Sequence, residues 1–236
     1  MYDQPLNSTV LKSASIPKDL GDFYEEMKPF RFSMMKYECV IREIKTKLEV
    51  LNSEMSIRNK RNPIKMVQTR IKQPASIIEK LKRRNLPVSV ESMEKNLNDI
   101  AGLRVICSFI DDIYELSGML EKQDDVKIIE IKDYFKNPKP NGYRSYHMIV
   151  EVPVFFSDHK EFIRAELQIR TIAMDFWASV EHKIYYKKAI DHNTAQITEK
   201  LRLCAENINM IAMELENISR EIEIQEEQEH SESLRL

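Results

Sequence analysis

The sequence predicts an α/β fold of the α+β kind: a centre of short strands and helices, with a long helix at either end of the chain. Three observations lead there. Apolar residues recur in alternating steps of four and three from Phe30 to Met55, and again from Ile197 to Ile222, which is the stripe of a one-sided helix. Between these stretches the apolar period shortens towards two in several runs bounded by turn residues. A chain of 236 residues supports one core of ordinary size, so helices and strands are expected to share it.

Residues 1–20 hold Pro5, Pro17 and several serines without any period, and read as a mobile arm, with structure beginning near Asp22. The first stripe then makes 21–62 an N-terminal helical segment. Pro74 suits a first helical turn, where a missing N–H and a fixed φ cost nothing, so a helix opens there in "PASIIEKLKRR". A strand "GLRVICSF", a helix "DDIYELSGMLEKQ" and a strand "VKIIEIKD" follow. Asn141-Gly142 is a turn signal feeding the strand "SYHMIVEVPVFF", after which come the strand "EFIRAELQIR" and the helix "TIAMDFWASVEHKIYYKK". The second stripe makes 191–236 a C-terminal helix whose acidic end, "EIEIQEEQEHSESLRL", is expected to fray.

The 36 Lys and Arg nearly cancel the 38 Asp and Glu, so the whole chain has no field that would gather nucleic acid or an anionic membrane. Any basic site is local. No run approaches the roughly 18 apolar residues of a spanning helix, and the start lacks the order of a signal peptide, so a soluble cytoplasmic protein is expected. Cys39, Cys107 and Cys204 are widely spaced within apolar patterns and read as core thiols rather than disulfides, ligands or nucleophiles.

On "FIRAELQIR", period two sends Ile163, Ala165, Leu167 and Ile169 to one face and Phe162, Arg164, Glu166, Gln168 and Arg170 to the other. Asp99 lies just before another strand, and an Asp and a Glu from separate elements could together hold Mg²⁺ while substrate phosphates complete its shell. Phosphate partners are at hand in "RIKQPASIIEKLKRR", where Ser76, Lys80 and Arg83 share a helix face and Arg70 and Lys72 lie on its approach. There is no glycine-rich phosphate loop, so side chains must hold any phosphate. Each feature alone also fits an ordinary solvated surface.

Together, "RIKQPASIIEK", "DIAGLRVIC", "NGYRSYH", "AELQIRT" and "MDFWASVEH", in this order, resemble the synthetase domain of RelA/SpoT homologues over roughly residues 60–190. The wording is most similar to small alarmone synthetases of the RelP type. The adjacent His-Asp pair that marks the family's hydrolase half has no counterpart. The resemblance implies a nucleotidyltransferase-like domain at 63–190, a mixed sheet of about five strands surrounded by helices, that moves the β,γ-pyrophosphate of ATP to the 3′-hydroxyl of GTP or GDP, giving AMP and alarmone. By motif, Arg70 and Arg104 would bracket the adenine, and Lys72, Ser76, Lys80 and Arg83 would hold the ATP phosphates. Asp99 and Glu166 would carry Mg²⁺, with Glu166 also the base for the 3′-hydroxyl. Lys132 and Lys139 would meet the acceptor phosphates, Tyr143 would stack on guanine as a displayed aromatic, and His147 and Gln168 would line that side. Asp175, which stands where some members have Asn, would face the guanine edge. The resemblance also implies a homotetramer.

Two other readings use the same residues. A module that holds single-stranded RNA, or senses alarmone without turnover, would employ the basic helix and Tyr143 but leave Asp99 and Glu166 idle, so RNA is not expected to be the main partner. A helical assembly protein would use the two stripes and leave the motifs unexplained. Three expectations follow for the structure. Tyr143 should be exposed, the two stripes should pack partly across a symmetric interface, and Asp99 and Glu166 should contribute little to stability.

Overall fold

The computed structural model describes residues 20–186 and 194–233, so nearly all of the expected N-terminal arm lies outside the described residues. The first stripe folds as α1 (Leu20–Arg58) and presses Tyr37, Ile41, Ile44, Leu48, Leu51 and Met55 against the chain's own sheet, all of them buried. That corrects the expected symmetric packing for this helix. Its stripe joins the residues of the sheet's apolar face, Leu103, Val105, Val150, Val152, Ala165 and Leu167 among them, in one buried core.

The sheet has five strands: β1 (Ile64–Ile71), β2 (Ala101–Cys107), β3 (Lys127–Asp133), β4 (Tyr146–Phe155) and β5 (Lys160–Thr171). They lie in the order β1-β2-β5-β4-β3, with β2 and β5 parallel and all other neighbours antiparallel. β5 is central and has the two-faced pattern read from its sequence: Ile163, Ala165, Leu167 and Ile169 are buried. β1 is an element that the sequence reading did not single out. It is an edge strand whose residues are mostly exposed, so no clean alternation marks it. The β-branched Ile64, Val67, Thr69 and Ile71 were the available signal.

Helix α2 (Pro74–Arg83) opens on Pro74 at its first turn and buries Ile77 and Leu81. Asn85 then adopts φ 55°, a left-handed conformation that asparagine tolerates, and ends the element. The short α3 (Val90–Asn96), also not anticipated, starts where the Ser89 hydroxyl accepts from Ser92 N at 3.1 Å. α4 (Ile110–Glu121) covers the sheet through Ile113, Leu116 and Leu120. At its start Asp112 accepts from the Phe109 amide at 3.0 Å and pairs with Arg61 at 2.8 Å.

α5 (Ile172–Tyr186) follows β5 directly, and α6 (Thr194–Ser233) continues through the acidic stretch, leaving residues 234–236 outside the described residues. Tyr143, Met174, Trp177, Leu201 and Ala205 form a second, smaller apolar cluster that joins α5, α6 and the turn before β4. Farther along α6, Ile211, Leu215, Ile218 and Ile222 are exposed, so this half of the second stripe is not sealed by the described residues of the chain. Cys107 is buried and Cys39 half-buried, but Cys204 is exposed on α6, a correction to its reading as a core thiol. Among the described residues no helix is long and apolar enough to cross a membrane.

Candidate active site

The polar face of the sheet is built by register. Gln68 of β1 stands opposite Arg104 of β2, Arg104 opposite Gln168 of β5, Gln168 opposite His147 of β4, and His147 opposite Lys132 of β3. One side chain from each of five strands thus forms a single row. Two residues along each strand, and therefore on the same face, a second row holds Arg70, Gly102, Glu166, Ile149 and Glu130. Gly102 matters there because an added Cβ would come within 3.3 Å of Arg70 Cγ. The missing side chain lets Arg70 lie across β2.

Gln68, Arg70, Gly102, Arg104, Glu166 and Gln168 line a cleft of about 180 Å³. A neighbouring cleft of about 270 Å³ is lined by Lys72, Ser76, Glu79, Lys80, Arg83 and Asp99. The helical spacing of Ser76, Lys80 and Arg83 therefore does place them on one face, with Lys72 beside them. Asp99 links the two regions: its Oδ2 accepts from Lys72 Nζ at 2.9 Å and Lys80 Nζ at 2.6 Å. Burial raises the Asp99 pKa, but the hydrogen bonds and charges of Lys80 and Lys72 outweigh it and hold the carboxyl below the usual aspartate range.

Glu166 accepts from Gln168 Nε2 at 3.0 Å and lies 3.4 Å from His147 Nδ1. Burial raises its pKa as well, while the hydrogen bonds of His147 and Gln168 lower it by more, so the carboxylate is ionised at neutral pH. The charge of Asp99 acts on Glu166, which puts the two carboxylates in one neighbourhood. The other oxygen of Asp99, Oδ1, is buried without a hydrogen-bond partner. An unspent carboxylate oxygen beside a second carboxylate fits a hard divalent cation. No group of three or more His, Cys, Asp or Glu among the described residues is placed to hold a metal, so substrate oxygens or water would complete the shell of such a cation.

The remaining residues gather around the turn before β4. Tyr143 Oη and His147 Nε2 are 3.1 Å apart, and the Lys139 ammonium and Arg170 guanidinium lie 5.0 and 5.1 Å from the centre of the Tyr143 ring. The ring is only 9% exposed, contrary to the expectation of a displayed aromatic. Residues far away in sequence, Trp177, Leu201 and Ala205, cover it. Lys132 is half exposed at the sheet edge and pairs with Glu130 at 3.0 Å. Asp175 pairs with Arg170 at 3.2 Å and Arg104 at 3.6 Å, so it joins the two sides of the face.

Arg170 is the member of this site missing from the residues assigned by motif. It is 7% exposed and touches Gln168, Asp175 and Tyr143. Its signal was its place on the polar face of β5, where period two already put it. Of the histidines outside the shared motifs, His159 pairs with Asp158 and His192 lies outside the described residues.

The lysine contacts overturn the expectation that Asp99 contributes little to stability. In Asp99→Asn the Lys72 and Lys80 ammonium groups, each 17% exposed, face one another without a counter-charge. A loss of about 1–3 kcal/mol at pH 7 is expected. Because the folded pKa is depressed, this stabilisation is present above the unfolded aspartate value of about 3.9 and disappears as pH falls through the lower folded value. Urea unfolding of both proteins at pH 7 and near pH 3, without nucleotide or divalent cation, checks it: the gap should narrow in acid.

Three comparisons agree. The family model described as the region found in RelA/SpoT proteins matches residues 69–191. The chain is 39% identical over 204 residues to the GTP pyrophosphokinase YwaC of Bacillus subtilis (strain 168), covering 86% of this chain and 97% of that one. Among solved structures, small alarmone synthetase 2 from Bacillus subtilis superposes with a TM-score of 0.72 at 40% identity, covering 81% of this chain and 98% of that one. Small alarmone synthetase 1 from the same organism, bound to its product pppGpp, gives 0.73 at 33% identity over 83% and 98%.

Proposed function

The chain belongs to the RelA/SpoT family, and from that premise we propose how its site works as a GTP pyrophosphokinase of the small alarmone synthetase type. It moves the β,γ-pyrophosphate of ATP to the 3′-hydroxyl of GTP or GDP and releases AMP. The reading is of synthesis alone. The observation that carries it is the meeting of two ionised carboxylates, Glu166 and Asp99, between a small cleft flanked by Arg70 and Arg104 and a cationic cleft on α2.

Adenine is placed in the first cleft, where the planar guanidinium groups of Arg70 and Arg104 can stack on it. The phosphates extend into the second, where Lys72, Ser76, Lys80 and Arg83 replace their hydration. Lys72 and Lys80 then exchange Asp99 for phosphate oxygens. Asp99 and Glu166 are the ligands proposed for Mg²⁺, which when bound would neutralise phosphate charge as the acceptor attacks. The acceptor lies on the β4 side, its base taking the place of the Lys139 ammonium over the otherwise covered ring of Tyr143, beside His147 and Gln168, and its phosphates drawing Lys139 and Lys132 towards them. Guanine can donate its N1–H and 2-amino group to the Asp175 carboxylate, a donor pair that adenine lacks.

Glu166 takes the proton of the 3′-hydroxyl as its oxygen forms a bond to the β-phosphorus of ATP. The bond from that phosphorus to the bridging oxygen of AMP breaks, and AMP leaves with the electron pair. His147 and Gln168 hold the Glu166 carboxylate in place. The exposed half of the α6 stripe supports assembly, and a homotetramer acting in the cytoplasm completes the reading.

Incubating the purified protein with γ-labelled ATP, Mg²⁺ and either GTP or GDP, then separating the products, tests the proposal. Label should appear in a guanosine product carrying the new pyrophosphate, with AMP in equal amount. Release of free pyrophosphate or phosphate with no labelled guanosine product would refute it.

A further inference from the structure

The turn that carries Tyr143 is clamped from two sides. Within it, Gly142 N donates to Lys139 O at 2.8 Å, Lys139 N to Tyr143 O at 3.1 Å, and Tyr143 N to Asn141 Oδ1 at 3.2 Å. From α5, Glu181 accepts from Asn141 Nδ2 at 3.0 Å. From α6 the approach is closer still. A Cβ on Gly142 would lie 2.6 Å from Ala205 Cβ and 3.1 Å from the Arg202 carbonyl oxygen, and Gly142 has φ +85°. Only glycine fits there at low cost. Ala205 is fully buried and Leu201 nearly so, while the Leu201 carbonyl accepts from Trp177 Nε1 at 3.1 Å. The seat under the turn therefore has no slack, and α6 is tied to the helix that supplies Asp175.

We propose that α6 is part of the acceptor-nucleotide site, with Ala205 and Leu201 as positioning residues that set where the Tyr143 ring stands and so determine affinity for the guanine nucleotide. This rests on the reading of Tyr143 as the guanine platform. A longer side chain at 205 has to lift either the helix or the turn, and lifting the turn moves the ring, its contact with His147 and the Lys139 ammonium together. The clefts of the donor nucleotide are lined by residues of β1, β2, β5 and α2 and their flanks, and by none of Tyr143, Leu201 or Ala205, so ATP affinity should respond far less to this seat. Trp177, the only tryptophan in the sequence, stands in the same cluster with its ring centre 6.5 Å from that of Tyr143, and it supplies an intrinsic probe.

The test titrates GTP, and separately a non-hydrolysable ATP analogue, into wild type, Ala205→Leu, Leu201→Ala, Tyr143→Ala and the Ala205→Leu/Tyr143→Ala double variant. Calorimetry gives the affinities and Trp177 fluorescence follows the cluster. Tyr143→Ala should weaken GTP by about 5- to 150-fold, the worth of one base stacked on an aromatic. Ala205→Leu and Leu201→Ala should each weaken GTP by at least about fivefold, with the ATP analogue within about twofold of wild type. Ala205→Leu should add little in the Tyr143→Ala background, since both act through one ring. If Tyr143→Ala weakens GTP while neither α6 variant does, the positioning role is overturned and the platform reading stands. If Tyr143→Ala leaves GTP binding intact, the platform reading falls and the proposal falls with it. Equal weakening of both nucleotides in the α6 variants marks general damage and also overturns the proposal. Should Ala205→Leu fail to fold, Leu201→Ala decides by the same criteria.

Discussion

Replacing Glu166 with glutamine is expected to slow alarmone synthesis by about 10²- to 10⁴-fold, the range lost with a positioned general base. The amide keeps the size of the side chain and can still accept from Gln168 Nε2, now 3.0 Å away, but it can neither take the 3′-hydroxyl proton nor balance phosphate charge. Its effect should fall on kcat and kcat/KM alike, because the lost interaction belongs to the transition state. The folded pKa of Glu166 lies below the ordinary value, so its ionised form contributes some stability above about pH 4.3, lost as pH falls through the folded value. With only that contribution removed, the unfolding midpoint should stay within about 2–4 °C of wild type, the shift produced by 1 kcal/mol in a chain of this length. Initial rates at saturating Mg²⁺ and nucleotides provide the check. A rate within about threefold of wild type would remove Glu166 from the chemistry.

Leu48→Glu is expected to leave the protein unfolded or insoluble, whereas Ile211→Glu with Leu215→Glu should fold and change only the state of assembly. Leu48 is fully buried between α1 and the sheet. Truncating a buried leucine costs about 2–5 kcal/mol, and an unpaired carboxylate in its place costs more, against a total stability of about 5–15 kcal/mol. Ile211 and Leu215 are 61% and 56% exposed, so charges there meet water in the isolated chain and oppose only an intermolecular contact. Circular dichroism and light scattering after size-exclusion chromatography separate the outcomes. A folded, merely dissociated Leu48→Glu protein would contradict the packing of α1.

These two variants also mark the limit of what periodicity can reveal. The stripes of α1 and α6 follow the same alternation of four and three steps, yet one is sealed against its own sheet and the other is half open to solvent. A period states which side chains share a face of one element, and it is local. It does not state what that face meets. The cleaner local patterns were therefore legible: the two faces of β5, the helix opened by Pro74, and the common face of Ser76, Lys80 and Arg83. Edge strand β1 and short α3 were not, since an exposed edge has no alternation and a helix of seven residues has little period to read.

By itself the sequence determined which chemistry-bearing residues exist and which strand or helix face each occupies, and its ordered motifs determined the family. Only the tertiary structure decided their neighbours. The parallel pairing of β2 with β5 aligned Gly102 with Glu166 and Arg104 with Gln168, and the antiparallel β4 then brought His147 alongside. Such a row depends on the registers of four strand pairs, of which β1–β2 and β2–β5 are far apart in sequence, and a slip of one residue in any of them would send its side chain to the opposite face. The same holds for Tyr143, whose turn is plain in "NGYRSYH" but whose burial comes from Leu201 and Ala205, more than 55 positions later. Local sequence sets the direction of a side chain, while long-range packing sets what it touches.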